Sequence, residues 1–227
     1  MQEPPPALAY LTKLHEAATQ DDIDGIDHLL LVEKMDVDTP TTDPAHLTPL
    51  WFAVWNGCDT AVRKLLDEGA NAMARNQVNK KTVLHAAAMA KGTSTIAKML
   101  ILRCADVHAV DRMGESPIHV AAGYDCVATM RILVANGADP NARSLSFLFT
   151  PLHRAAYEGK AESATYLVDE CDANTEATDL RGCRPLHRAV RNASNMPRNT
   201  DPCARVARLL LERGTTLTTQ DPWEKSW

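Results

Sequence analysis

The sequence predicts an all-α repeat solenoid, and three recurring features support that prediction. A helix-opening segment occurs five times at a fixed interval, a second apolar helix pattern follows each copy, and turns that often contain glycine separate the units. The first positions of the five copies lie 34 residues apart, at Thr48, Thr82, Ser116, Thr150 and Arg184. A period of this length is typical of stacked repeats, which bury their apolar faces against one another instead of around one central core.

The clearest copy of the opening segment is residues 150–160. Thr150 is a good N-cap residue, and Pro151 at the first helical position loses only an N–H that has no helical partner. Gly159 marks the end of a helix of about two turns. A helix this short is unstable alone, so it must pack against neighbouring helices.

A second helix is predicted after each opening segment, from apolar residues spaced three and four apart. These residues are Val62, Leu65 and Leu66; Ile96, Met99 and Leu100; Met130, Leu133 and Val134; Ala164, Leu167 and Val168; and Val206, Leu209 and Leu210. A diverged first unit lies at 14–18, and Gly69, Gly137 and Gly214 stand where a left-handed turn would end the second helix.

Together, Thr-Pro-Leu-His-x-Ala-Ala, a Leu-rich second helix and Gly-Ala-Asp-x-Asn-Ala resemble the ankyrin repeat. The resemblance covers roughly residues 10–221 as about six repeats, at 10–44, 45–78, 79–112, 113–146, 147–180 and 181–214. A Pro-rich lead-in at 1–9 and a partial finger or C-terminal cap at 215–227 complete the predicted organisation. The resemblance implies helix-turn-helix units joined by β-hairpin-like fingers, and binding of another protein through a concave face.

Several positions depart from the family pattern. Trp51 replaces the histidine of one repeat, and Arg184 replaces the capping threonine of another. Cys104 and Asp172 occupy turn positions where glycine is expected, which predicts strained or rearranged turns. The last repeat is interrupted by a polar segment, 193–203, which we expect to be a loop.

Charge is distributed unevenly along the chain. Residues 1–60 contain eleven acidic and two basic residues, whereas residues 181–213 contain eight arginines and two acidic residues. One interpretation is a solvated surface; another is that the Arg-rich end accepts an acidic or anionic group of a partner. The formal net charge of −5 argues against a nucleic-acid partner.

The cysteines and the hydropathy of the chain indicate its cellular compartment. The six cysteines form no Cys-x-x-Cys pair, so we expect buried or half-buried thiols in a reducing compartment. The first residues lack the features of a signal peptide, and the apolar runs are too short to cross a bilayer. These observations predict a location in the cytoplasm, or in the cytoplasm and nucleus, without a membrane partner.

Histidine recurs at the fourth position of four of the copies, namely His85, His119, His153 and His187. Stacked helices lie about 8–10 Å apart, whereas zinc ligands each lie about 2.0–2.1 Å from their metal, so these histidines cannot share an ion. The ankyrin resemblance implies instead that each histidine bonds to the capping residue and to nearby backbone. No nucleotide-binding or hydrolase motif is present, so we predict neither a metal nor a cofactor and lean against an enzyme.

A strip of side chains on the first helices is the candidate binding surface. The resemblance places residues four, seven and eight after each cap on or near the concave face, together with Trp51. The predicted partner-binding residues are Trp51, Phe52, Trp55, Met89, Tyr124, Arg154, Tyr157, Arg188 and Arg191. Trp, Tyr and Arg dominate binding hot spots, although packing between repeats remains the alternative for each residue.

The finger at 144–149, Ser-Leu-Ser-Phe-Leu-Phe, is more apolar than a solvated loop. Its large side chains are Leu145, Phe147, Leu148 and Phe149. They are expected either to fold against the helices or to form an exposed contact patch.

Two main functional hypotheses follow. The first is a non-enzymatic adaptor or regulator that binds another protein along the strip. The second is a small-molecule-binding protein or unconventional enzyme, with Tyr124, Tyr157 or Glu158 exchanging protons and Arg154 and Arg188 stabilising an anion. A closed apolar cavity beside Tyr157 would favour the second hypothesis, and an open groove would favour the first. A structural spacer is a third possibility.

Overall fold

The structure is a computed structural model that describes residues 11–90, 92–193 and 202–215. Over these residues the regular structure is helical, as predicted, with the helices joined by turns. Three sequence predictions fall wholly or mostly outside the described residues: the lead-in at 1–9, the polar loop at 193–203, and the partial finger or cap at 215–227.

The described residues form twelve α-helices. Their bounds are α1 Lys13–Thr19, α2 Ile23–Asp27, α3 Pro49–Asn56, α4 Asp59–Asp67, α5 Val83–Met89, α6 Ser94–Leu102, α7 Pro117–Tyr124, α8 Val127–Ala135, α9 Pro151–Glu158, α10 Ala161–Glu170, α11 Pro185–Ala193 and α12 Pro202–Glu212. Helix α2 continues into a π-helical segment, His28–Val32, which the sequence pattern did not predict.

The chain divides into two compact units, Met1–Asp106 with α1–α6 and Val107–Trp227 with α7–α12. In the first unit α1, α3 and α5 pack in succession, and in the second unit α7, α9 and α11 do the same. Each of these first helices also packs on the second helix of its own pair. The prediction of one elongated domain over 10–221 stays a prediction.

Paired alanines allow the first helices to approach closely. Ala155 and Ala156 of α9, and Ala121 and Ala122 of α7, are completely buried. A methyl side chain fills little space, so the neighbouring helix packs directly against the backbone of this face.

Helix caps follow the sequence prediction. The Thr150 side chain accepts a hydrogen bond from the backbone N–H of His153, and Gly159 ends α9 with a φ of 68°. Cys104 and Asp172, which stand in place of glycine, have φ values of 63° and 50°. Left-handed backbone at these two residues confirms that their turns are strained. Cys104 is also exposed, whereas buried or half-buried thiols were expected.

In three repeats a buried histidine links the first helix to the finger that follows. Nδ1 of His153 accepts from the backbone N–H of Thr150 at 3.2 Å, and its Nε2 lies 3.0 Å from the carbonyl oxygen of Cys183 in the following finger. The same arrangement joins His119 to Ser116 and Phe149, and His15 to Thr12 and Leu47. The hydrogen bond to the cap that the family resemblance implies is therefore present.

This geometry requires a neutral imidazole. A carbonyl oxygen can only accept, so Nε2 carries the hydrogen, and Nδ1 must stay unprotonated to accept from the cap. Burial lowers the pKa of His119 and of His153 to about 4, because the charged form would lose its hydration. Both imidazoles are therefore structural and uncharged at neutral pH.

The fingers are tight turns, each closed by a backbone hydrogen bond at its base. Asp111 N–H donates to Glu115 O, and Ser144 N–H donates to Phe149 O. An isolated bridge joins Arg75 to Thr82, and no regular strand forms within the residues that the structure describes. The fingers thus resemble hairpins in their closure, but they are too short to build a sheet.

We expect stability to fall as pH is lowered from about 6.5 toward 4. In this window His119 and His153 bind protons in the unfolded chain, whereas in the folded chain burial lowers their pKa to about 4 and they do not. The unfolded state therefore binds more protons, and the free energy of unfolding decreases by up to about 3 kcal/mol per histidine. Urea unfolding at several pH values measures this loss.

His153→Gln is the informative variant, because it removes one titrating group and keeps a hydrogen-bonding side chain. It should be less stable than the native chain near neutral pH but lose less of its stability as the pH falls. His46→Asn changes an exposed histidine and should keep the native pH dependence. Equal pH dependence in the native chain and in His153→Gln would contradict the argument.

Candidate partner-binding cleft

The second unit contains a cleft of about 530 Å³ between its fingers and its first helices. The cleft combines aromatic and cationic side chains, and it is lined by Met113, Glu115, Phe147, Phe149, Arg154, Tyr157, Arg181, Arg188 and Arg191. Several of these positions are related by the 34-residue period: 113, 147 and 181; 115 and 149; 154 and 188; and 157 and 191. Corresponding side chains of successive repeats therefore form the walls.

The apolar finger at 144–149 contributes to the floor and the rim of the cleft. Phe149 is 7% exposed and stacks on His153, with 5.6 Å between ring centroids. Phe147 lies 5.6 Å from Phe149 but is 42% exposed, and Leu145 is 74% exposed. Each alternative for this finger is therefore correct for some residues: Phe149 folds down, whereas Phe147 and Leu145 face solvent.

Phe149 also takes part in the bridge between repeats. Its carbonyl oxygen accepts from Nε2 of His119 at 2.9 Å, while its ring lies 6.4 Å from that of Tyr157. The same residue thus holds two repeats together and forms the floor of the cleft. Movement of this finger would disturb both.

Arg188 forms one wall and is held by a buried carboxylate. Its Nε donates to Oδ2 of Asp179 at 2.6 Å, its Nη2 contacts the same oxygen, and its guanidinium lies 5.0 Å from the centroid of the Phe149 ring. The Asp179 side chain is fully buried, and its Oδ1 accepts from the backbone N–H groups of Arg181 and Cys183. Asp179 therefore holds the finger through these backbone hydrogen bonds and also neutralises the charge of Arg188.

Arg154 reaches the cleft across a glycine. A Cβ atom at Gly123 would lie 3.1 Å from Cγ of Arg154, so the arginine packs where a larger residue would interfere. Nε of Arg154 lies 3.4 Å from Glu115, and Nη1 lies 3.7 Å from Glu158. The buried Nε makes no hydrogen bond. Arg154 is thus positioned mainly by charge and packing.

The rim of the cleft is exposed to solvent. Tyr157 is 39% exposed, and Arg181 and Arg191 are also exposed. Tyr157 is one turn of helix away from Arg154, so the exposed ring and the half-buried guanidinium share one side of α9. Surface aromatic and arginine side chains of this kind are available to a partner without unfolding the repeats.

The predicted strip residues of the first unit have a different environment. Trp51, Phe52 and Met89 are buried, and the Phe52 ring packs edge-on against His15 at 5.3 Å. Trp55 is half-buried. The three buried side chains contribute to packing between repeats in this unit.

In the second unit the structure brings four predicted residues together, Arg154, Tyr157, Arg188 and Arg191. Tyr124 is half-buried and does not line the cleft. Met113, Glu115 and Arg181 line the cleft from the fingers and were not predicted from the pattern of the first helices. Applying the 34-residue period to Phe147 would have identified Met113 and Arg181, which occupy the same finger position.

Among the described residues, no group of three His, Cys, Asp or Glu side chains is arranged to hold a metal ion. No described helix is both long and apolar enough to span a membrane.

Comparison with known proteins gives a family match over most of the chain. Residues 50–144 and 146–221 match the family model described as "Ankyrin repeats (3 copies)". The matched residues include every helix from α5 to α12 and all the cleft residues.

Similar proteins come from diverse organisms. Alpha-latrotoxin-Lg1a of Latrodectus geometricus is 33% identical over 136 residues, which is 59% of this chain and 10% of the toxin. A putative ankyrin repeat protein of Acanthamoeba polyphaga mimivirus is 30% identical over 142 residues, 63% of this chain and 18% of that protein. A transient receptor potential cation channel subfamily A member 1 homolog of Caenorhabditis elegans is 33% identical over 121 residues, 53% of this chain and 10% of the homolog. This chain spans a small part of the length of each relative.

The finger that contains Gly114 packs closely against the finger at 144–149, which lines the cleft. Substitutions at two glycines test this close packing. Gly114 and Gly137 both have positive φ, but a Cβ atom at Gly114 would lie 2.3 Å from the backbone nitrogen of Leu145, whereas one at Gly137 would meet nothing within 4 Å. We expect Gly137→Ala to cost about 1–2 kcal/mol through backbone strain alone. Gly114→Ala should cost clearly more, because the finger that carries Phe147 must move. Urea unfolding of both variants measures the difference, and equal losses would contradict this close packing.

Proposed function

Since this chain belongs to the ankyrin-repeat family, whose repeats generally mediate protein–protein interaction, we propose that it is a non-enzymatic adaptor or regulator that docks another protein in the cleft of its second unit. The observation that carries the proposal is the joint exposure of Phe147, Tyr157, Arg181 and Arg191 around one concavity. We propose the cytoplasm, or the cytoplasm and nucleus, as its location.

The chemistry of the rim supports docking. Tyr and Arg are enriched in interface hot spots because they bury a large area and keep a polar end, and aromatic rings lose little conformational entropy on binding. A stable protein interface buries about 800 Å² per partner, more than this cleft alone provides. The cleft therefore acts as the anchor site within a wider contact on the second unit.

The polar groups of the cleft are already used in ways that support binding over catalysis. Arg188 is held by Asp179, and Arg154 lies between Glu115 and Glu158. The neighbouring His153 is buried and neutral, and both of its ring nitrogens are within hydrogen-bond distance of backbone groups. Glu158 lies 3.7 Å from the Arg154 guanidinium, which favours a role as a counter-ion over proton transfer.

A small-molecule ligand is a second candidate, because the cleft volume of about 530 Å³ falls in the range of ligand sites. The exposed Phe147, Tyr157 and Arg191 argue for an open groove, which suits a protein segment better than an enclosed metabolite. The type of molecule that the chain retains distinguishes the two candidates.

The test uses Tyr157→Ala and Phe147→Ala in the full chain, with Leu211→Ala as the matched control. Leu211 is a half-exposed apolar residue of α12 that does not line the cleft. Truncating a rim aromatic residue should reduce partner retention about tenfold or more, as at hot-spot residues. Melting temperature should stay close to native for all three variants.

Immobilised native chain and variants would be incubated with an extract of the source cells, and the retained proteins quantified by mass spectrometry. The proposal expects a defined protein that is lost with both rim variants and kept by Leu211→Ala. Equal retention by all four chains would refute docking at the cleft. A melting temperature that rises with a fraction of small metabolites, and not with protein, would favour the second candidate.

A further inference from the structure

We infer that residues 216–226 form one more finger, which covers the exposed side of α11 and is joined to it through His187. Asp221 closes this finger, and the carbonyl oxygen of Lys225 accepts from Nε2 of His187. The inference goes beyond docking at the cleft, since it assigns a surface of the last described repeat to a segment of the chain itself and does not depend on the partner.

Helix α11 exposes a face that is buried in the preceding repeats. Val190 is 40% exposed, whereas the residues at the same position of α7 and α9, Ala122 and Ala156, are completely buried. His187 lies one turn earlier on the same side of α11 and is half-buried, whereas the corresponding histidines of α7 and α9 are buried. Another first helix packs on α7 and on α9 from the repeat that follows, and α11 is the last first helix among the described residues.

The chain leaves α12 in the same way as it leaves an earlier second helix. Gly214 follows α12 with a φ of 85°, and Gly137 follows α8 with a φ of 93°. The backbone N–H of Thr215 donates to the carbonyl of Leu210 at 3.1 Å, and that of Ala138 makes the equivalent bond at 3.0 Å. The turn that leads into the apolar finger is therefore repeated after α12.

The sequence after Gly214 repeats the pattern of two described fingers. Asp111 and Asp179 each stand seven residues after the left-handed turn residue of their repeat, at 104 and 172, and Asp221 stands seven residues after Gly214. The three segments read Asp-Arg-Met-Gly-Glu-Ser at 111–116, Asp-Leu-Arg-Gly-Cys-Arg at 179–184 and Asp-Pro-Trp-Glu-Lys-Ser at 221–226. The segment at 221–226 is thus in register with a finger and with the cap position that follows it.

The aspartate organises both described fingers. Oδ1 of Asp179 accepts from the backbone N–H groups two and four residues later, at 2.7 Å and 3.0 Å. Oδ1 of Asp111 accepts from the equivalent groups at 2.8 Å and 3.0 Å. Aspartate favours tight turns because its side chain bonds to the backbone in this way. In the same geometry, Asp221 accepts from the N–H groups of Trp223 and Lys225.

Two residues of the segment differ from the described fingers, and both are compatible with the turn. Pro222 has the fixed φ that suits the second position of a turn, although it lacks the N–H that the finger at 179–183 donates to its neighbour. Glu224 stands where Gly182 has a φ of 75°. Lys80 and Leu148 occupy this position in two other fingers with φ values of 62° and 55°, so glycine is not required there.

The bridge through His187 follows the pattern of the other repeats. Nδ1 of His187 accepts from the backbone N–H of Arg184 at 3.0 Å, as in the histidines that join neighbouring repeats. In His153, Nε2 lies 3.0 Å from the carbonyl oxygen of Cys183, which is four residues after the aspartate of its finger. Lys225 is the residue four after Asp221. Its carbonyl oxygen is therefore the acceptor that corresponds to Cys183.

The additional finger lengthens the cleft by one side chain. Met113 and Arg181 each stand two residues after the aspartate of their finger, and both line the cleft. Trp223 stands two residues after Asp221. A tryptophan at this position adds apolar area of the kind that contributes strongly to protein interfaces.

The experiment is NMR on the isotope-labelled full chain, on Asp221→Ala and on Glu224→Ala, which truncates a neighbouring carboxylate of the same segment. Amide hydrogen exchange reports whether the N–H groups of Trp223 and Lys225 are bonded. Nuclear Overhauser contacts of the Val190 methyl groups report which residues cover α11.

We expect both amides to exchange about tenfold more slowly in the native chain than in Asp221→Ala, because the variant removes their acceptor. Glu224→Ala should keep the native exchange rates. The Val190 methyl groups should contact residues 221–226 in the native chain at every protein concentration.

Three results would overturn the inference. The first is rapid, unprotected exchange of both amides in the native chain, or Val190 contacts that include no residue of 216–226. The second is equal protection in the native chain and in Asp221→Ala, which would refute closure of the finger by Asp221. The third is Val190 contacts that appear only as protein concentration rises, together with a dimer in sedimentation, which would assign this face to a second copy of the chain. None of these results affects docking at the cleft, which Tyr157→Ala and Phe147→Ala test separately.

Discussion

The buried imidazole that connects one repeat to the next is the interaction on which the rest of the structure depends. In His119 and His153, one ring nitrogen accepts from the helix cap of its own repeat and the other donates to a carbonyl of the next finger. Each ring therefore satisfies the backbone N–H of a buried capping residue and adds a second donor to a finger carbonyl that already accepts from its own finger. Short helices gain their stability from these neighbours, since none is long enough to persist alone.

This constraint separates the residues that hold the repeats together from those that can recognise a partner. The histidine, the capping residue and the paired alanines pack between repeats, whereas the finger tips and the exposed side of the first helices can contact a partner. Phe149 belongs to both groups of residues. Its carbonyl oxygen accepts from His119, and its ring lies under Arg188 and beside Tyr157. The cleft is thus built directly on the bond between repeats, which accounts for its position between fingers and first helices.

Much of the fold followed from the sequence, because the 34-residue period, the caps and the terminal glycines are local signals. The residues of the cleft were predicted from the sequence only in part. The period placed Arg154 and Arg188 in equivalent positions, but it could not show that Asp179 would bury and neutralise one while Glu115 and Glu158 would balance the other. Such choices depend on the conformations of long side chains and on contacts between neighbouring fingers. The burial of Trp51 and Phe52 corresponds to the alternative of packing between repeats, because large residues at these helix positions can fill gaps between neighbouring helices.

The most direct test of the imidazole bridge is the protonation state of its histidines in the folded chain. Long-range nitrogen–proton correlation NMR of ¹⁵N-histidine-labelled protein reports which ring nitrogen carries the hydrogen. We expect His119 and His153 to be neutral, with the hydrogen on Nε2, and to stay so as the pH is lowered to about 5, because burial lowers their pKa to about 4. A hydrogen on Nδ1, or protonation of both rings near pH 6.5, would show that the bridge between repeats is not formed as described.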